Sequence, residues 1–247
     1  MKRIIIILFV LLLLVSCNNK PTQDNTGNNT PTQGCDIVDD CGDDDVKASH
    51  LNFKEAYEAL NGKSNSSGKA HRNISIDENN PFVEVDASEI VKKIENKETF
   101  YVYIGDEMCP WCRSVIESAI ELAQQANIEK IYYVQIWDDD GNEVVRDQYK
   151  YEDGKLNKTV EGIEAYHQLL KYWDSVLEDY TLSDENDNEI EVGEKRIYAP
   201  NFVYVVNGEA TRFTTGISSM QEDAREELTD EMIQDTKQQF SEFFGLN

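Results

Sequence analysis

Cys109 and Cys112 stand three positions apart, with Pro110 and Trp111 between them, where the apolar run Phe100 to Ile104 gives way to an amphipathic stretch. Two thiols at that spacing can close into a disulfide, exchange it with another sulfur through a thiolate, or supply half of a metal site. The metal reading is the weakest. A zinc site takes four ligands, no second Cys-x-x-Cys is present, and His50, His71 and His167 lie far off in sequence. No metal and no cofactor is therefore expected at the pair.

Three further cysteines complete the five in the chain. Cys17 follows Met1-Lys2-Arg3, an unbroken apolar run from Ile4 to Val15, and Ser16. A basic start and a short apolar core are features of an export signal, and the run is too short for a comfortable transmembrane helix. Leu14-Val15-Ser16-Cys17 resembles the bacterial lipobox. That resemblance implies removal of residues 1–16, a diacylglyceryl group on Cys17, and a protein held on the extracytoplasmic face of the cell membrane. Two acyl chains at ~0.8 kcal/mol per buried methylene suffice for stable anchoring. An ordinary cleaved signal or an uncleaved anchor would lead to the same compartment.

Residues 17–50 are rich in Asn, Thr, Gln, Gly and Asp and read as a disordered acidic tether. A flexible coil of that length spans roughly 30 Å. Within it, Cys35 and Cys41 bracket Asp36-Ile37-Val38-Asp39-Asp40 and precede Asp43, Asp44 and Asp45. A short-loop disulfide is the preferred reading. A second redox pair serving the first, or a weak cation site using the carboxylates, are the alternatives.

The formal charge is -25, from 23 basic and 48 acidic residues. Such a surface repels phosphate backbones, which argues against nucleic acid as a partner. It also disfavours an anionic membrane surface except through a covalent lipid.

The elements that must position Cys109 and Cys112 follow from periodicity. Phe53, Ala56, Tyr57 and Leu60 suit a short helix within residues 51–79, packed on the main domain as an N-terminal extension. From about residue 80 the pattern becomes regular. Phe82 to Val85 reads as a strand and Asp86 to Glu95 as a helix. Phe100 to Ile104 reads as a strand covered on both faces. Val115, Ile116, Ala119, Ile120 and Ala123 make the inner face of the helix that follows the cysteines, and Ile131 to Trp137 reads as a third strand. Alternating strands and helices predict an α/β domain over residues 80–247.

Residues 138–158 lose this pattern, with Asp138-Asp139-Asp140-Gly141 and Asp153-Gly154 as turns. Calcium loops started at Asp138 or Asp184 place Glu143 or Glu189 sixth and Tyr149 or Lys195 twelfth, where Gly and Glu are needed. Val160 to Tyr180 carries apolar residues at helical spacing and predicts one long helix. Glu189 to Ile197 predicts a short strand. Phe202 to Val206 and Glu209 to Thr215 around Asn207-Gly208 predict a hairpin. A last helix starts at Thr229, an N-cap followed by Asp230 and Glu231.

This order of elements, with Cys-Pro-Trp-Cys at a helix start and Ala199-Pro200 before a hairpin, resembles the thioredoxin fold over about residues 80–245. The run Tyr103-Ile104-Gly105-Asp106-Glu107-Met108-Cys109-Pro110-Trp111-Cys112-Arg113, together with Glu194 to Pro200, is similar to the membrane-associated thioredoxin-like proteins known as bacteriocin transport accessory proteins. The resemblance implies a thioredoxin-like mixed sheet flanked by helices, enlarged between the third strand and a cis-proline hairpin, with an insertion at about 138–196. It implies that Pro200 is cis, lies against the cysteine pair, and leaves the Ala199 backbone free to pair with an extended substrate. An ordinary trans proline opening a strand is the alternative.

At a helix N-terminus, Cys109 would be the nucleophile and Cys112 the resolving thiol. Pro110 fits the first helical turn, where its missing N–H is no loss. Trp111 would offer the substrate an apolar platform or merely cover the helix end. Arg113 would favour the thiolate as a nearby cation. Tyr103 stands where thioredoxins carry a buried Asp, which leaves Glu107, Asp106 or water to take the Cys112 proton. The leading expectation is a lipid-anchored thiol–disulfide oxidoreductase acting on exported proteins or peptides. The alternative is a non-catalytic binding or accessory protein for secretion or bacteriocin transport, with the cysteines as a static disulfide.

Overall fold

The apolar run before the cysteines becomes β2 (Phe100–Gly105), the middle strand of a five-stranded sheet in the computed structural model. The structure describes residues 52–138, 142–186 and 188–246. The signal, the tether, Cys17, Cys35 and Cys41 lie outside the described residues. Alternation along β2 explains its continuous apolar character. Phe100, Val102 and Ile104 enter one core, while Tyr101 and Tyr103 face the other.

The other strands are β1 (Phe82–Glu84), β3 (Ile131–Gln135), β8 (Asn201–Val206) and β9 (Glu209–Thr214), in the order β1-β3-β2-β8-β9. β3 runs parallel to both β1 and β2, whereas β8 is antiparallel to β2 and to β9. The parallel pairs need crossover helices, and these cover both faces of the sheet. A helix over 52–58 (α1), α3 (Pro110–Gln125) and α5 (Asp230–Phe244) supply the core that contains Tyr103. α2 (Ala87–Glu95) and α4 (Glu164–Tyr172) supply the opposite core. The α/β reading, with a mixed sheet flanked by helices, therefore holds. Among the described residues no helix is long and apolar enough to cross a membrane.

Local signals explain much of this frame. Asn207 and Gly208 take positive φ values of 51° and 80°, the backbone a two-residue hairpin turn requires. Thr229 caps α5 by accepting from the Met232 N–H at 3.3 Å, and Gly245 ends the helix in the left-handed region. Phe53 of α1 stacks on Phe82 at 4.6 Å and meets Tyr133 edge-on at 4.9 Å. Residues 52–58 thus share the sheet's own core.

One expected element is corrected. Val160 to Tyr180 is not a single helix, since α4 occupies only Glu164–Tyr172. Val160 ends β5 (Lys155–Val160), which pairs with β4 (Gln148–Glu152) around the Asp153-Gly154 turn. Beyond α4 the chain enters β6 (Glu178–Ser183), antiparallel to β7 (Glu189–Arg196). The apolar residues do sit at helical spacing, but strand partners from outside the window claim both ends of the run. The enlargement between β3 and β8 is thus two hairpins around the crossover helix α4.

Candidate functional site

β2 ends at Gly105, and a short loop carries the chain to α3, for which Cys109 is the N-cap. Pro110 takes the first helical turn, as its fixed φ favours. With the Cys109 backbone extended, its sulfur lies over the helix start and accepts from the Cys112 N–H at 3.5 Å. From the other side comes the loop before β8, where the Ala199-Pro200 bond is cis. The Cys109 thiol donates to the Ala199 carbonyl at 3.6 Å. Cys109, Ala199 and Pro200 are thereby brought together, while Trp111 packs half-buried against the nearby core. Both cysteines are free thiols, with Cys109 5% exposed and Cys112 fully buried.

The two sulfurs have opposite electrostatic fates. Cys109 is lowered from the ordinary thiol value, first by hydrogen bonding from the Cys112 side chain. The Cys112 and Trp111 N–H groups and the charge of Arg146 add to this against the opposing effect of burial. Cys112 is pushed well above it by burial, and the neighbouring Cys109 adds to that rise. The pair thus consists of one thiol made easier to ionise beside a second that is held protonated.

Arg113 does not play the expected part. Its guanidinium turns away from the sulfurs and donates to the carbonyls of Arg72 (2.6 and 2.8 Å), Tyr57 (2.8 Å) and Glu107 (3.1 Å), and to Asn61 Oδ1 (3.0 Å). Buried and always charged, it ties residues 57–72 to α3. The cation that favours the Cys109 thiolate is Arg146, buried between Glu143 and the Ile197 carbonyl (3.0 Å). Sequence reading missed Arg146, because it lies in the segment without pattern and reaches the site only through tertiary packing.

The two candidate proton acceptors differ in setting. Asp106 is fully buried and accepts from the Met108 N–H at 2.8 Å and the Trp137 N–H at 3.2 Å. Burial, with the charge of Glu107, pushes its carboxyl up from 3.8 to about 8. Glu107 is half-buried and receives hydrogen bonds from Gln135 Nε2 at 3.2 Å and the Tyr133 hydroxyl at 3.5 Å. Tyr103 is buried in the same core as Cys112, and its hydroxyl lies 2.7 Å from the Tyr57 hydroxyl. The sequence placed Tyr57 on a short helix but not beside Tyr103, because 46 residues separate the two tyrosines.

A second polar group lies around β4, β5 and α4. Asp147, Glu161 and His167 bring ligand-type atoms within 4.8 Å of one another. Lys158 supplies the positive charge there, 3.0 Å from Asp147 and 3.3 Å from Glu161. No cysteine belongs to this group.

Fold and site together define a mixed α/β protein with an asymmetric dithiol at a helix N-terminus. No family model matches the chain, and no curated protein matches it.

Proposed function

We propose that this chain is a thioredoxin-like, lipid-anchored thiol–disulfide oxidoreductase that exchanges disulfides with exported proteins or peptides. The observation that carries the reading is the asymmetry of the pair: a lowered Cys109 beside the Ala199 carbonyl, and a raised, fully buried Cys112. In the reducing direction, the Cys109 thiolate attacks one sulfur of a substrate disulfide. That S–S bond breaks, a mixed disulfide forms, and the departing thiolate takes up a proton. Cys112 then loses its proton and attacks Cys109 Sγ, closing Cys109–Cys112 and releasing the second substrate thiol. The oxidising direction runs these steps backwards, and the reduction potential of the pair decides between them.

Trp111 and the Ala199-Pro200 loop flank the Cys109 sulfur and would receive an extended substrate segment. The element order and the cis peptide support the thioredoxin-like reading. The lipobox-like Leu14 to Cys17 supports anchoring on the extracytoplasmic face. Insulin reduction with dithiothreitol tests the activity. The wild type accelerates precipitation of the insulin B chain, and Cys109→Ala loses the acceleration. Equal rates for the two would sink the proposal.

The 5% exposure of Cys109 favours a second reading, a non-catalytic accessory binder for secretion or bacteriocin transport. That reading predicts no turnover and capture of its partner by Cys109→Ser.

A further inference from the structure

Away from the dithiol, and among the described residues, Asp147, Glu161 and His167 converge with their ligand-type atoms all within 4.8 Å of one another. Three elements bring them together. Asp147 directly precedes β4, Glu161 directly follows β5, and His167 stands on α4. The junction is tightly framed. The Ile163 N–H donates to the Val145 carbonyl at 3.0 Å, and Arg196 donates to the Asp147 carbonyl at 2.7 Å. A Cβ on Gly162 would lie 2.8 Å from the Asp147 nitrogen, so only glycine lets the chain pass this close to Asp147.

The polar atoms have a definite order. His167 Nε2 lies 3.2 Å from each Asp147 oxygen and 3.7 Å from Glu161 Oε1. Lys158 Nζ takes the outer oxygens, 3.0 Å from Asp147 Oδ2 and 3.3 Å from Glu161 Oε2. The Gly162 N–H donates to Asp147 Oδ1 at 2.6 Å. With the imidazole neutral, as in a metal ligand, two carboxylates face one ammonium and the group is one positive charge short. Asp147 is only 2% exposed, so water does little to make up the difference.

The spacing suits a metal shell. Zinc bonds of about 2.0–2.2 Å to nitrogen and oxygen give a tetrahedron with edges of roughly 3.3–3.5 Å. Asp147 Oδ1, His167 Nε2 and Glu161 Oε1 stand near that spacing along the two edges that meet at His167. A cavity of about 540 Å³, lined in part by Asp147, Lys158, His167 and Leu170, offers an entry path and room for water to complete the shell.

We propose that Asp147, Glu161 and His167 bind a divalent ion of the zinc class, with Lys158 and the Gly162 N–H holding the two carboxylates in place. One imidazole nitrogen and two carboxylate oxygens with an open fourth position match that ion. Calcium takes six to eight oxygens, and magnesium keeps several of its waters and gains little from an imidazole. The ion supplies the missing positive charge and ties the end of β5 to α4. No cysteine takes part, so the inference stands apart from the exchange reading.

The test is calorimetric titration of the full chain in detergent with Zn²⁺, all five cysteines replaced by Ala so that no thiol competes. The wild type oxidised with diamide gives a second chain without free thiols, should the replacements disturb folding. The expected result is one saturable Zn²⁺ per chain that about a hundredfold excess of Mg²⁺ does not displace. His167→Ala and Glu161→Gln should each weaken binding about tenfold or more. Both positions are outside the buried set, so the urea midpoint without zinc should stay unchanged. Saturating Zn²⁺ should raise the thermal midpoint of the parent chain and not that of His167→Ala. No saturable binding in either thiol-free chain overturns the inference and leaves Lys158 as the cation of the group. Equal affinity in the parent, His167→Ala and Glu161→Gln overturns it too, by placing the ion elsewhere. Displacement by Mg²⁺ overturns the zinc class.

Discussion

Two sulfurs three positions apart become chemically unlike through their first neighbours. Cys109 faces the open end of a helix and a carbonyl, while Cys112 is sealed in the core that also holds Tyr103. The third ionisable group of the site, Asp106, leaves a signature in stability as well as in chemistry. Its folded carboxyl titrates at about 8, whereas an unfolded one titrates near 3.8. Below that lower value both states hold the proton; between the two values only the folded state does, so the unfolded state binds fewer protons. Stability is therefore fully present below about pH 4 and is lost as pH rises through about 8. Asp106→Asn cannot ionise and should flatten that loss, by roughly 2–5 kcal/mol across the window. Urea unfolding between pH 4 and 9 measures the slope, and identical slopes for the two proteins would contradict the assignment.

α3 presents its N-terminus to the chemistry, and the residue directly after the nucleophile's partner, Arg113, fastens α1 and the segment behind it. Arg113→Ala strands three carbonyls in buried surroundings and should cost about 3 kcal/mol, seen as a lower urea midpoint. Arg113→Lys should recover only part of this, because an ammonium cannot reproduce the planar fork. Full stability in Arg113→Ala would show that the segment is held by its aromatic contacts alone. The contrast between legible and hidden elements has the same physical origin. β2, the Asn207-Gly208 hairpin and the capped α5 are written in local pattern and turn chemistry, so the sequence was enough to find them. The limits of α4 were hidden, since strand pairing through Val160 at one end and Glu178 and Asp179 at the other overrode a helical spacing that was itself real. In the site, the cysteines and Pro200 were visible as types at telling positions. Tyr57 and Arg146 were not, because each meets its partners only across a long sequence separation, and the direction of the Arg113 side chain depends on which carbonyls tertiary packing leaves open.

At the scale of the whole molecule, the sheet supplies the rigid frame that brings a helix start from one crossover and a cis-proline loop from another to a single point. A frame that fixes both sides of Cys109 while holding Cys112 as a thiol stabilises the reduced pair. Under the proposed function this would place the reduction potential above that of a structural disulfide, since any free energy favouring the dithiol appears directly in the potential. In the proposed function, the formal charge of -25 would add long-range attraction for basic exported segments, and it disfavours nucleic acid. The central claim, that Cys109 and Cys112 exchange rather than merely cross-link, is tested most directly by equilibrating the protein in glutathione or dithiothreitol redox buffers and counting the thiols of this pair. The account predicts a reversible two-electron transition within roughly -270 to -120 mV, the span of thiol–disulfide oxidoreductases. A pair that stays oxidised below about -300 mV, as structural disulfides do, would contradict it.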